Sequence, residues 1–232
     1  DLAKGGIVCF LNGDAIPVDN NWLENLVSPI GSTINLGQDL SGIVAASYSR
    51  QIPRNNADLP NRIRMTYVYD EQARDKLMGL PLSNNNLYFF SSVSCCIDLR
   101  CLEKPLFDNL VPVGEDLALG YRLISAGYAI SYAPSSRVVH SHNYTMLGIF
   151  RRYFDSIRVC QNIGIHSQGR TDISDDISVY LRHIISCLSD KRPLDWLHVF
   201  AFFGLGWAGM KLGRFDKYLP ATLKNWITVY GV

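Results

Sequence analysis

Two short apolar runs, GIVCFL at residues 6–11 and GIVAASY at residues 42–48, flank an amphipathic segment near the start of the chain. Both runs are apolar on successive residues, the pattern of a strand buried on both faces. Between them lies NNWLENLVSPI, residues 20–30. Trp22, Leu23, Leu26, Val27 and Ile30 fall on one helical face, and Asn21 with Glu24 makes a capping box. Strand, helix, strand in this order predicts parallel strands joined by a crossover, and so an α/β sheet.

Residues 49–62 carry Arg, Asn and Pro with little periodicity and read as a surface loop. YVYDEQARDKLMG reads as a helix or broken helix. LYFFSSVSCCIDL, residues 87–99, mixes aromatic and small polar residues like a strand leading into a site. In VPVGEDLALGYRLISAGYAISYAP, Leu117, Tyr121, Ile124 and Tyr128 keep helical spacing and Gly127 suits a helix C terminus. YAISYAP and SRVVHSH read as two short strands. From Thr145 on the pattern is helical. Met146, Ile149, Phe150, Tyr153 and Ile157 form a stripe, and further helices are expected over 175–189, 193–212 and 220–229. The composition shifts near residue 165, which divides an α/β part, 1–165, from a helical tail, 166–232.

A chain of 232 residues with 47% hydrophobic and 19% charged residues can bury a sizeable core. A net charge of +1 supplies no field to gather nucleic acid. The six cysteines, at 9, 95, 96, 101, 160 and 187, form no CxxC pair, and most lie in apolar surroundings. They read as reduced core residues of a cytoplasmic protein. No secretory leader pattern is present, and no stretch has the roughly 20 apolar residues of a membrane span.

Four constellations carry candidate chemistry. Asn12-Gly13-Asp14 follows the first strand, and ligands of open α/β sheets gather at the carboxyl ends of strands. An acid there can hold a divalent cation, or simply cap a turn before Pro17. Gly114-Glu115-Asp116 opens a helix. Acids there suit the macrodipole in any protein, and an ionised carboxylate at a cleft edge is also a general base. His140-Ser141-His142 would present both imidazoles on one face if its strand continues, as metal ligands or as structural histidines. Arg151 and Arg152 either clamp phosphate oxygens or form a solvated helix face.

Taken in order, FLNGDAIPVDNNWLENL, FFSSVSCCIDLRCLEKPLFDN, VGEDLALGYRLISAGYAISYAP and VVHSHNYTMLGIFRRYFD resemble the family 2 glycosyltransferases of the GT-A fold. They are most similar to bacterial rhamnosyltransferases that build surface polysaccharides. The likeness spans residues 5–165, and LGRFDKYLP resembles their helical C terminus. It implies a GT-A, Rossmann-like mixed sheet, of which this chain holds the second half, and an N-terminal truncation that removes the nucleoside-binding half. It implies further that Asp14 is the last acid of the family's metal-binding DxD motif and that Asp116, beside Glu115, is the catalytic base of an inverting transfer. By the same likeness His140, with His142, completes the metal shell. Ser91, Ser92 and Ser94 would line the acceptor and donor-sugar side, and Arg151 or Arg152 would assist the departing diphosphate with Asn12 and Asp14. Position 12 departs from the motif: Asn brings an amide oxygen but no charge.

The expected activity is metal-dependent transfer, with Mg²⁺ or Mn²⁺, of a sugar from a nucleoside-diphosphate sugar, dTDP-rhamnose first among them. The acceptor would be a saccharide or a lipid-linked saccharide. The alternative is a non-catalytic carbohydrate-binding or partner module that keeps part of the fold. A metal-dependent hydrolase using His140, His142 and Asp116 ranks last, because no HExxH or similar ligand set is present. Residues 196–213, rich in aromatics and followed by Arg214 and Lys217, suit a helix on the inner face of the cell membrane. They suit equally a helix covering the sheet or pairing with a second protomer.

Overall fold

A computed structural model of the chain describes residues 4–35, 41–78, 87–102, 106–107, 114–164 and 173–229. In chain order the elements are β1 (Ile7–Leu11), β2 (Ile16–Pro17), α1 (Trp22–Val27), β3 (Thr33–Asn35), β4 (Ser41–Ile52), α2 (Leu59–Val68), β5 (Arg74–Lys76), β6 (Ser94–Asp98), α3 (Glu115–Ser125), β7 (Ala129–Val139), α4 (Met146–Asn162), α5 (Ile173–Leu188), α6 (Pro193–Gly213), a 3₁₀ turn (Asp216–Tyr218) and α7 (Ala221–Ile227). They form two compact units. One holds Asp1–Arg54, Tyr69–Asn109 and Glu115–His140; the other holds Asn55–Val68, Leu110–Gly114 and Ser141–Val232. The division expected at 165/166 falls outside the described residues.

The first unit is an α/β structure around a mixed seven-stranded sheet of order β1-β6-β4-β7-β2, with β3 on β4 and β5 on β7. β4 and β7 are parallel, while β6 is antiparallel to both β1 and β4. β1 and β4 therefore run the same way, as strand-helix-strand predicts, with β6 reversed between them. All five residues of β6 are buried, which suits a strand flanked on both edges. Two expected strands at 128–142 are one, β7, whose pairing with β4 is irregular between Ser49 and Arg50. α3 ends as expected: Gly127 has φ +84°, and the Tyr128 amide bonds back to the Leu123 carbonyl.

Buried hydroxyls bind α1 to the sheet. Ser49 Oγ lies 2.7 Å from both Ser94 Oγ and Ser136 Oγ, the Trp22 indole donates to Ser94, and Ser136 donates to the Trp22 carbonyl. The expected capping box is not formed. Asn21 is helical in backbone and caps nothing with its side chain; the Asp19 carboxylate accepts from the Asn21 amide instead.

Three other readings change. Residues 49–62 are not one loop, because β4 runs to Ile52 and α2 starts at Leu59. Beyond Val68 the chain does not stay helical; Arg74–Lys76 pairs with Ile130–Tyr132 of β7, whose open edge offers it a ladder. The cysteines are not all reduced. Cys9 and Cys96 face each other in the β1-β6 register, with Cα atoms 4.1 Å apart, and form a disulfide. Directly opposed residues of an antiparallel pair come this close at the non-hydrogen-bonded positions.

In the second unit Ile63 of α2, Ile184 and Leu188 of α5 and Val199 of α6 share one core. Three glycines of α6 meet α4 at van der Waals range. A Cβ on Gly209 would lie 2.2 Å from the Phe150 carbonyl oxygen, and one on Gly206 or Gly213 would crowd Tyr153 or Phe154. The glycines of this apolar segment thus mark a close helix-helix approach. Buried Asp155 holds the C-terminal end, accepting from the Thr228 hydroxyl at 2.7 Å and the Val229 amide at 3.0 Å.

Candidate active site

The register gathers the candidate residues of the first unit at one sheet edge. Ile52 of β4 pairs with Val139 of β7, so these parallel strands finish together. Leu11, the end of β1, pairs with Ser94, the start of antiparallel β6, and the Asn12 amide donates to the Val93 carbonyl. The carboxyl ends of three strands and the amino end of a fourth therefore share this edge, the place where open α/β sheets bind ligands.

Asp14 lies in the turn between β1 and β2. Ile16 of β2 pairs with Val139, which carries the turn to the end of β7. There Asp14 Oδ1 stands 3.5 Å from His140 Nε2. The imidazole is buried and its amide bonds to the Ile52 carbonyl, so the ring has a fixed place. Its other nitrogen, Nδ1, lies 2.9 Å from Gln51 Oε1. The Gln51 amide nitrogen donates in turn to the Tyr69 hydroxyl at 2.7 Å and to Ser91 Oγ at 2.8 Å. With the amide so oriented, Nδ1 donates to Gln51, and Nε2 faces the Asp14 carboxylate. A histidine anchored through Nδ1, with Nε2 facing a carboxylate, has the form of a metal ligand when the ring is neutral.

Arg54 completes this corner. Its guanidinium donates to the Asp14 carbonyl and lies 3.2 Å from Asp14 Oδ2. Asn12 is exposed at the end of β1 and contributes no charge. His142 belongs to the second unit, where its exposed ring faces Tyr144. β7 stops at Val139, so strand alternation does not extend to His142.

Glu115 and Asp116 open α3 as expected. Glu115 Oε1 accepts from Ser92 Oγ at 3.3 Å, which joins the acid pair to the segment before β6. Asp116 Oδ1 accepts from the Leu117 amide. Burial pushes the Cys95 thiol well up, and the Asp116 charge adds to that, which sets this carboxylate beside β6. The three serines part company. Ser92 reaches Glu115, Ser91 holds Gln51, and Ser94 is buried in the hydroxyl network beneath α1, with no surface to offer a sugar.

Arg151 and Arg152 lie in the second unit. Arg151 donates to the Trp226 carbonyl at 2.7 Å and stacks on its ring, and Arg152 stands over Tyr144 at 5.0 Å. Sequence reasoning missed Gln51 and Arg54 because both sit in a stretch that reads as loop: Ser49, Arg50 and Gln51 break the apolar run at Tyr48. A concavity of about 450 Å³, lined by Asp19, Arg50, Glu71 and Arg137 among others, has its charges matched already. Arg50 pairs with Glu71 and Arg137 with Asp19, whose carboxyl that guanidinium holds below the usual range.

Comparison with known proteins places this geometry in context. Over 237 aligned residues the chain is 28% identical to the O-antigen chain rhamnosyltransferase WbaN of Salmonella anatum, a match covering 98% of this chain and 70% of that protein. It is 24% identical over 234 residues to the O-antigen chain rhamnosyltransferase RfbN of Salmonella typhimurium, covering 97% of this chain and 69% of that protein. No protein-family model matches the chain.

Proposed function

We propose that the chain transfers a sugar, rhamnose from dTDP-rhamnose, to a saccharide or lipid-linked saccharide in polysaccharide synthesis, with inversion at the anomeric carbon. The observation that carries this reading is the likeness to two O-antigen rhamnosyltransferases, which runs through almost the whole chain. The mixed sheet is compatible with a Rossmann-like fold of the GT-A kind.

Asp116 is the base. Its carboxylate takes the proton of an acceptor hydroxyl, and that oxygen forms a bond to the anomeric carbon. The bond from that carbon to the diphosphate breaks, and the nucleoside diphosphate leaves with the electron pair. Glu115, tied to Ser92, positions the start of α3 against the acceptor side. Asp14 and His140 are the residues that would hold Mg²⁺ or Mn²⁺, and with the ring neutral the facing Oδ1 and Nε2 would fit such an ion. Bound there, the ion would neutralise charge on the departing diphosphate. Arg54, now on Asp14, is a guanidinium within reach of the same carboxylate and can turn to a phosphate oxygen.

The alternative is a saccharide-binding module without transfer. It draws on the neutral Asn12 and on the pairing of Asp14 with Arg54, both of which weaken the hold on a cation.

Asp116→Asn separates the two. Transfer from radiolabelled dTDP-rhamnose to a lipid-linked acceptor should fall by about 10²–10⁴-fold, the range for loss of a general base. Calorimetric binding of the donor should stay within a few-fold. A mutant that transfers at the wild-type rate removes Asp116 as base. No transfer by the wild-type protein with any nucleotide sugar and acceptor tried, alongside measurable saccharide binding, favours the module.

A further inference from the structure

We propose that the outward face of α6 is a docking surface for an anionic phospholipid membrane. The inward face is seated on α4 through Gly206, Gly209 and Gly213. The opposite face has no protein cover among the described residues. Leu197 is 68% exposed, Trp207 is 52% exposed and Phe200 is also open, while Leu194 and Leu205 are open on the flank of the helix. Leu197, Phe200, Gly204, Trp207 and Lys211 follow one another at steps of three and four, so they lie along one line of the helix.

Charge decides what can lie on this line. Between Pro193 and Met210 the ionisable residues are Asp195 and His198. Asp195 is spent at the helix start, where it accepts from the Arg192 amide and guanidinium. Asp190 and Lys191, just before, cancel. At the other end Lys211, Arg214 and Lys217 are all exposed, while Asp216 is taken by Arg158 and Lys224. Lys211 Nζ stands 5.1 Å over the Trp207 ring and Lys217 Nζ 5.2 Å over Tyr218. An apolar ridge thus runs into a basic, aromatic end, the composition that settles at a lipid interface.

A second copy of this chain fits less well. A parallel pair would set Lys211 against Lys211. An antiparallel pair would set it against the Leu197 end, where the line offers no acid. An anionic bilayer meets both the apolar ridge and the basic end. Among the described residues no helix is long and apolar enough to cross a membrane, so α6 would lie on the surface. The inference is independent of sugar transfer. Where both hold, the chain meets lipid-linked acceptors in the plane where they reside.

Flotation with phosphatidylcholine vesicles, with and without phosphatidylglycerol, tests it. The protein should float with the vesicles containing phosphatidylglycerol and much less with phosphatidylcholine alone. Leu197→Glu with Phe200→Glu should cut the bound fraction roughly tenfold or more. Lys211→Glu with Lys217→Glu should cut only the phosphatidylglycerol-dependent part, by about fivefold for each charge, and high salt should mimic it. These side chains are exposed, and circular dichroism checks that the variants fold. Failure of the wild-type protein to float overturns the proposal, and so does equal flotation of the Leu197/Phe200 variant. A dimer seen by light scattering that the same variant dissociates, without flotation, would give the face to a second copy instead.

Discussion

Gln51 and His140 meet side chain to side chain at 2.9 Å across the parallel strands β4 and β7, next to the Ile52-Val139 pair that ends them. The contact joins a residue no motif marked to one that the sequence singled out. Gln51 touches neither the proposed ion nor a substrate; it acts by fixing the imidazole. Gln51→Leu should therefore lower Mn²⁺ affinity, read by electron paramagnetic resonance, by about 10–100-fold, the usual cost of losing such a partner. Nitrogen NMR of the His140 ring should show loss of a single fixed tautomer. An unchanged Mn²⁺ affinity in a folded variant would leave Gln51 a packing residue.

The seam between α4 and α6 predicts a stability effect. Gly209→Ala places a methyl where the Phe150 carbonyl oxygen already sits, 2.2 Å from the new carbon, and backbone cannot step aside as a side chain can. The helices must separate, at a cost of about 1–3 kcal/mol. The urea midpoint of the variant checks this. At Gly204 an added methyl would meet no atom within 4 Å, so alanine there should bring a small gain.

What could be read in advance divides along the range of the forces involved. The helix Glu115–Ser125 is written in local chemistry: two acids in its first turn and Gly127 at positive φ just past its end. The start of α4 is local too, since Thr145 caps it by accepting from the Gly148 amide. β6 is different. Its apolar run announces a buried strand, but its direction depends on the gap left between β1 and β4 by their crossover. The start of α2 reads as loop because Pro60 and Asn61 open it. Both are buried, and Ile63 packs against Ile184, Leu188 and Val199, far along the chain. The Asp14-His140 pairing was legible only as a likeness. Gln51 was not legible, because a polar residue near a strand end has no signature until its partners are in place.

The Cys9-Cys96 pairing predicts a thiol count. Of six cysteines, Cys95, Cys101, Cys160 and Cys187 are free. Protein denatured without reductant should release four reactive thiols, and six after reduction. A peptide pair linking the two strands should appear in a non-reduced digest. Six thiols before reduction would show that the opposed cysteines stay reduced where the protein is made.

Lys76 predicts a pH dependence. It is buried in β5, donates to the Tyr48 hydroxyl at 2.8 Å and to the Phe89 carbonyl at 2.5 Å, and lies 4.9 Å from both aromatic rings. No carboxylate is among these partners. Burial, with the Arg74 charge adding to it, lowers its pKa from 10.5 to about 7. Below the folded value both folded and unfolded chains hold the proton, and the buried charge weighs fully against folding. Between the folded and unfolded values only the unfolded chain holds it, so stability rises with pH. Burial raises the Tyr48 phenol far above this window, so that neighbour stays neutral throughout. From about pH 6 to about pH 9 this lysine should add about 2–3 kcal/mol to the unfolding free energy. Lys76→Met loses two hydrogen bonds at every pH but should lose this slope as well. Urea unfolding of both proteins across that range isolates the effect, because every other titrating group is common to the two. Parallel stability-pH curves for wild type and variant would mean that Lys76 keeps its proton in the fold.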